Sequence, residues 1–561
     1  MIRRLQSPYT DPLDYANLGR AVPALAPHLS YSASGYAMLN FKNEQAVRSL
    51  NIALLERDFD LHVTFPEDRL CPSVPGRLDY VIFCLELVRQ TRVDDAKTAE
   101  SARMMGLDIG TGASAIYPLL ATRFTARSEQ ECLGPVCMLA TDVNAVSLAH
   151  ARRLVDRNGL SDEIQLFQVD QGGQIFPSDV TEAAETIDFT MCNPPFYSSP
   201  EEIASSSAAK ELPPFAVCTA AENELITPGG EVAFVGRMIE ESVSLGQRKI
   251  RWFTSLLGKY SSIAPLVQQL KDKKLYNFHI SALPRRGRTV RWVLCWSLQE
   301  WRVPPYLVHE TLAAEHGAPT PASVPSFPLV RFLSPSVAPL AFIAPTFEPL
   351  GGSSVAQELI EMLTTALNEL VQPGEIEPAL EGSIATEEDG MASDCSVVSR
   401  AHRPIAVHIT AWRNVWSRQA RRAAKAAAPP DPAVLRAAES AAANRPETPM
   451  FDVRIEIAAS AKGTPRSETS AKAGATTSVM NQPPASDRAR PTATYRLEGW
   501  WIRGAEAERA ALVGLWGFLT RRIGDECWRR TGLGEKHAKE MGRRAQGDDN
   551  EEGRGKRRKA E

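Results

Sequence analysis

Between about residue 102 and residue 299, short apolar runs alternate with amphipathic stretches, and this alternation limits the fold more than any other feature of the chain. The runs are Met105 to Ile109, Val136 to Thr141, Glu163 to Val169, Ile187 to Cys192, Glu231 to Val235, Leu275 to Ala282 and Arg291 to Leu298. Each has strand length, and helix-length segments such as Ala145 to Arg157 separate them. Strands joined by helices imply βαβ units, a parallel sheet and an α/β, Rossmann-like sandwich.

The flanks read differently. Asn43 to Phe59 places Ala46, Val47, Leu50, Ala53 and Leu54 at helical spacing, and Arg77 to Arg89 repeats the pattern, with a Pro-rich loop from Phe65 to Pro75 between them. Beyond residue 300, Pro-, Ala- and Ser-rich or acidic stretches separate islands at Val330 to Pro345, Val355 to Val371, Ile405 to Arg422, Phe451 to Ala458 and Thr494 to Arg522. These islands read either as one interrupted α+β domain or as separate motifs in a disordered tail. The expected organisation is a mainly helical N-terminal module (1–95), the α/β domain (96–300) and a linker (301–327). An interrupted α+β region (328–527) follows, with disordered insertions at 372–400, 425–449 and 459–491, and then a disordered basic tail (528–561).

A chain of 561 residues exceeds one ordinary core, so several domains are expected. A net charge of -4 excludes a uniformly basic nucleic-acid coat but permits local basic clusters. The nine cysteines form no CxxC pair and no Cys/His cluster at zinc spacing, so we expect no disulfide framework, no metal and a reducing compartment. Met1 to Tyr9 lacks the apolar run of a secretory signal, and no membrane-length apolar stretch occurs.

Two constellations carry chemistry. Leu107-Asp108-Ile109-Gly110-Thr111-Gly112-Ala113-Ser114 follows the first run and precedes a helical Ile116 to Phe124, the strand, glycine turn and helix order that brings backbone close to a nucleotide-like ligand. Asp108, Gly110, Gly112 and Ser114 are therefore candidate cofactor contacts, the acid attracting a ligand ammonium. Asp142 ends the second run, where a carboxylate can accept both hydrogens of a ribose diol. Asp170, after the third run, either meets an adenine amine or opens a loop. Together these features point to a cofactor of the S-adenosylmethionine type.

The fourth run ends in Asn193-Pro194-Pro195-Phe196. The prolines fix the turn and remove two amide donors, which leaves carbonyls free to accept. An exocyclic amine conjugated to a base is a weak nucleophile. If Asn193 Oδ1 and the Pro194 carbonyl each accept one of its hydrogens, its lone pair is aimed at an in-line methyl donor. Phe196 offers a face on which the extruded base can stack. The reaction needs neither a metal nor a covalent nucleophile.

The motif order resembles that of the U6 small nuclear RNA adenine-N6 methyltransferases and the related bacterial 23S ribosomal RNA enzymes. The segments that carry it are Leu39 to Lys42, Val74 to Tyr80, Leu107 to Ser114 with Ile116 to Leu120, Met191 to Phe196, and Gly287 to Trp292. The resemblance spans roughly residues 35 to 300. It implies cofactor contacts at Arg77, Gly110, Asp142, Gly173 and Asn193, with Asp142 standing where the family commonly has Glu. It puts Lys42, Arg288 and Arg291 on the RNA-binding groove, joined by Arg3 and Arg4 of the N-terminal module through phosphate contacts. The family's basic loop after the catalytic motif is here the Ser- and Ala-rich Pro200 to Pro214, with Lys210 its one cation, which implies a changed RNA grip or target. The C-terminal islands resemble the family's regulatory region, a fold like kinase-associated domains that binds an RNA stem-loop.

The resemblance thus implies a methyltransferase acting on an adenosine of a structured RNA, U6 first, with no membrane partner. Lys556-Arg557-Arg558-Lys559 fits nuclear import, with the cytoplasm as a second compartment. Two rival readings stand beside it: a protein glutamine methyltransferase of the same fold, since Asn-Pro-Pro-aromatic serves either planar amine, and an inactive RNA-binding scaffold.

Overall fold

The computed structural model describes residues 5–9, 12–91, 103–126, 134–203, 225–246, 249–285, 290–308, 311, 328–344, 354–370, 376–381, 405–411, 416–417, 420, 450–460 and 494–530. The chain forms two compact units, Met1–Ala338 and Pro339–Glu561. The first holds both the expected N-terminal module and the α/β domain. It also takes in residues 328–338, which the sequence reading assigned to the C-terminal region.

The first unit is built on seven strands: β3 (Met104–Ile109), β4 (Val136–Asp142), β5 (Ile164–Gln168), β6 (Ile187–Cys192), β7 (Ile250–Leu257), β8 (Phe278–Ala282) and β9 (Trp292–Trp296). Their order is β5-β4-β3-β6-β7-β9-β8, parallel except for β9, which runs antiparallel to both neighbours. Strand order reverses between β3 and β6, so a crevice opens beyond their carboxyl ends. Gly106 on β3 leaves room for side chains of both neighbouring strands. A Cβ there would lie 2.4 Å from Met138 Sδ and 2.6 Å from Phe189 Cζ.

One expected strand is a helix. Glu231 to Val235 lies in Gly230–Leu245, whose Val235, Met238, Ile239 and Ser242 are buried at helical spacing. The strand at this place in the order is Ile250–Leu257, which the run-based reading passed over although six of its last residues in succession are buried. Helices Gly230–Leu245 and Ile263–Asp272 cover one face of the sheet, against Trp292, Leu294 and Trp296. The opposite face meets helix Val74–Thr91, whose Tyr80 and Cys84 reach Thr254 of β7 at 2.6 and 3.5 Å.

The N-terminal residues form helices Tyr15–Ala21, Glu44–Phe59 and Val74–Thr91 and also an unexpected hairpin, β1 (Leu29–Tyr31) with β2 (Ala37–Leu39). Its three-residue strands are too short to show a period. Helix Glu44–Phe59 begins at Asn43, whose side chain accepts the Ala46 amide, and ends at Asp60 in a left-handed conformation.

In the second unit the islands form one antiparallel sheet, β10 (Leu340–Ile343), β14 (Thr494–Gly504), β13 (Phe451–Ser460), β12 (Ile405–Ala411) and β11 (Ile376–Glu381), in that order. Helices Val355–Asn368 and Arg509–Arg530 pack on it around Leu363, Ile409, Ile455, Leu497 and Leu519. Three boundaries change, the first because β13 runs to Ser460, two residues into the expected insertion 459–491. Ile376–Glu381 is a strand inside the expected insertion 372–400, where Pro378 is tolerated because β11 is an edge. The last helix runs to Arg530, into the expected tail. Residues 382–400, 425–449, 461–491 and 531–561 lie outside the described residues. No helix among the described residues is long and apolar enough to cross a membrane.

Candidate active site

Beyond the carboxyl ends of β3, β4 and β6 lies a cavity of about 200 Å³. Its floor is the glycine turn. Gly110 and Gly112 have φ of 74° and 64°, values that cost an L side chain strain, and the Gly110 and Thr111 amides both donate to the Thr141 carbonyl at 2.9 Å. Asp142 joins the turn to the next helix: its Oδ2 accepts the Gly112 amide and its Oδ1 the Asn144 amide, each at 2.8 Å. Each oxygen keeps a further lone pair for a ligand hydroxyl. Opposite, Gly172 and Gly173 form a turn that Arg237 holds through the Gly173 carbonyl at 2.5 Å, while Glu241 accepts the Ile175 and Phe176 amides.

The catalytic motif leaves β6 under tight control. The Cys192 amide donates to Tyr80 Oη at 3.2 Å, Tyr80 donates to Thr254 Oγ1 at 2.6 Å, and Thr254 donates to the Thr190 carbonyl at 2.6 Å. This relay fixes the strand end that carries Asn193. Asn193 lines the cavity, and its Oδ1 is buried with no hydrogen-bond partner among the described residues. No described hydrogen bond uses the Pro194 carbonyl. The acceptors named from the sequence are therefore open.

Phe196 packs its ring against Gly258, where a Cβ would lie 2.7 Å from its Cδ1. The Arg291 guanidinium stands over the same ring at 5.1 Å. Burial, and then the charge of Arg77, hold the Arg291 pKa below its ordinary value, so two cations converge near the motif. Arg77 also lines the cavity and donates to Tyr117 Oη at 2.6 Å.

A model of a family described as RNA methyltransferase matches residues 4–300. The chain belongs to this RNA methyltransferase family. The U6 small nuclear RNA (adenine-(43)-N(6))-methyltransferase of Schizosaccharomyces pombe is 36% identical over 264 residues, 47% of this chain and 63% of that protein. Human RNA N(6)-adenosine-methyltransferase METTL16 is 35% identical over 298 residues, 52% of this chain and 49% of that protein. The match thus spans less than two thirds of either relative. Ribosomal RNA large subunit methyltransferase F of Pseudomonas putida is 33% identical over 294 residues, 50% of this chain and 88% of that protein. Among solved structures, the human METTL16 catalytic domain with a MAT2A 3'UTR hairpin is 32% identical, with a TM-score of 0.45 over 53% of this chain and 96% of that one.

Within this family member, the structure brings Arg77, Gly110, Gly112, Ser114, Asp142, Gly173, Asn193, Pro194 and Pro195 to one cavity wall, with Phe196 and Arg291 beside it. Asp170 also lines the wall. Asp108 does not. It has no exposed surface and lies beneath the turn, off the cavity wall. Burial pushes its carboxyl up to about 7, the Thr111 hydroxyl opposes this, the Asp142 charge adds to it and Arg77 opposes it. Lys42 is exposed just before helix Glu44–Phe59, away from the cavity wall. Arg3, Arg4, Lys210 and Arg288 lie outside the described residues. Sequence reasoning missed Leu70, Pro72, Val143 and Arg237 on the wall. Arg237 was hidden by reading its helix as a strand, and Leu70 and Pro72 by treating their loop as a spacer.

Proposed function

We propose that this protein methylates the N6 amine of an adenosine in a structured RNA, with U6 small nuclear RNA the first candidate and S-adenosylmethionine the donor. The observation that carries the reading is the buried, unpartnered Asn193 Oδ1 at the head of Asn-Pro-Pro-Phe on the cavity wall. A buried amide oxygen without a donor is costly, and an amine hydrogen supplies the missing partner.

The cavity fits the donor: two positive-φ glycines allow close approach, Asp142 can take a ribose diol, and Arg77 faces the same space. S-adenosylmethionine, when bound, supplies an electrophilic methyl group on a sulfonium. Asn193 Oδ1 and the Pro194 carbonyl accept the two amine hydrogens and localise the nitrogen lone pair; as the N–C bond forms, the methyl–sulfur bond would break to leave a neutral thioether, and one amine proton would pass to water. Phe196, with Arg291 over its ring, provides the planar surface that receives the base. Arg291 and the exposed Lys42 supply charge for RNA phosphates, with Arg3, Arg4, Lys210 and Arg288 as further candidates. The proposed substrate and the basic run Lys556 to Lys559 support a nuclear location.

The test is incubation of the full chain with labelled S-adenosylmethionine and U6 or other structured RNAs, followed by nucleoside analysis. N6-methyladenosine is the expected product. Label on glutamine of a protein substrate instead would establish the amide-directed reading, and cofactor binding with no product on either would establish an RNA-binding scaffold.

A further inference from the structure

Three polar residues at helical spacing, Gln45, Arg48 and Asn51, make one stripe on helix Glu44–Phe59, and all three face the segment 65–74. Arg48 is buried at 4% exposure, and its guanidinium donates to three successive carbonyls: Phe65 at 3.3 Å, Pro66 at 2.6 Å and Glu67 at 2.7 Å. Asn51 fixes the other end. Its Oδ1 accepts the Val74 amide at 2.9 Å, and its Nδ2 reaches Cys71 Sγ at 3.8 Å. Between these anchors lie Leu70 and Pro72, both on the cavity wall, and Val74 begins the helix whose first turn carries Arg77. A buried cation held by neutral carbonyls is an expensive way to pin a loop, since an apolar contact would serve stability as well. What the guanidinium adds is a fixed position for three consecutive peptide groups.

We infer that Arg48 and Asn51 are positioning residues for the cofactor: they set the wall made by Leu70, Pro72 and Arg77 and so control affinity for the donor without touching it. This rests on the S-adenosylmethionine reading of the cavity. Burial raises the Asp142 pKa, the Asn144, Gly112 and Val143 amides oppose this, and the charge of Arg69, inside the pinned segment, opposes it least.

The experiment measures binding of S-adenosylhomocysteine to the full chain by calorimetry, RNA affinity by anisotropy, and amide exchange over residues 66–74. Arg48→Met and Asn51→Leu are expected to weaken S-adenosylhomocysteine about ten-fold, the scale on which supporting residues tune a bound group. RNA affinity stays close to wild type, while the thermal midpoint falls because the Phe65, Pro66 and Glu67 carbonyls or the Val74 amide lose their partner. Asn51→Asp, which keeps the acceptor for the Val74 amide, restores most of the loss. Because Arg48 is buried and its variant can misfold, the wild type provides a second measurement: S-adenosylhomocysteine slows exchange at residues 68–74, and Leu70→Ala reduces affinity by a similar factor. Unchanged affinity in folded Arg48→Met and Asn51→Leu overturns the inference, as does ligand-independent exchange of the segment in the wild type. Failure of the wild type to bind S-adenosylhomocysteine at all sinks the cofactor reading instead.

Discussion

At the residue scale, Asn193 and Asp108 show opposite uses of burial. Asn193 keeps a neutral acceptor dry and unpartnered on a wall, which suits a ligand donor; Asn193→Ala is expected to lower kcat by at least a hundred-fold while leaving S-adenosylhomocysteine affinity within about three-fold, checked by single-turnover assay and calorimetry. Asp108 is buried off the cavity wall, and burial raises its carboxyl pKa from 3.8 to about 7. The folded state thus holds the proton more tightly than the unfolded chain. Its contribution is fully present below the ordinary value and is lost as pH rises through about 7. Relative to Asp108→Asn, the wild type should lose on the order of 1 kcal/mol per pH unit between pH 5 and 7 and nothing further above 8, measured by denaturant unfolding at each pH. A flat difference over that range would refute the assignment. The sequence marks Asn193 as an acceptor and Asp108 as a cofactor contact, but it cannot say which of them reaches the cavity, because exposure depends on which way each side chain faces.

At the scale of elements, the alternating runs revealed six of the seven strands of the first sheet, and helices Ile116–Thr125 and Ala145–Arg157 appeared nearly at their true ends. The failure at Glu231 to Val235 has a physical cause. Five residues of a helix's apolar stripe look like a short strand until the stripe is followed to Met238 and Ile239. The antiparallel sheet of the second unit was illegible for another reason: its partners, such as Val407 with Ile455 and Ile455 with Gly499, are separated by long polar stretches that carry no pairing signal. Crowding at Gly106 gives a sharper test. Gly106→Ala forces a methyl into the Met138 and Phe189 side chains and should cost about 1–3 kcal/mol in denaturant midpoint analysis, whereas Gly76→Ala, helical and with open space around it, should be neutral or stabilise by up to about 1 kcal/mol.

At the scale of the whole molecule, the boundary between units falls at Ala338, beyond the matched family region. A chain ending at Ala338 is expected to retain methyl transfer while binding structured RNA at least five-fold more weakly; equal affinity measured by anisotropy would remove the second unit from RNA recognition. Within the first unit, the N-terminal helices are not a detachable piece. Tyr80 of helix Val74–Thr91 finds its hydroxyl partner 174 residues further along, on a strand near the far end of the sheet. On a translating ribosome, that separation is on the order of ten to thirty seconds of synthesis. During this interval Tyr80 has its Tyr117 and Cys192 contacts but lacks Thr254, so one wall of the future site is made early but settles late. The Tyr80–Thr254–Thr190 relay that steadies the strand end carrying Asn193 is therefore complete only once β7 has been made.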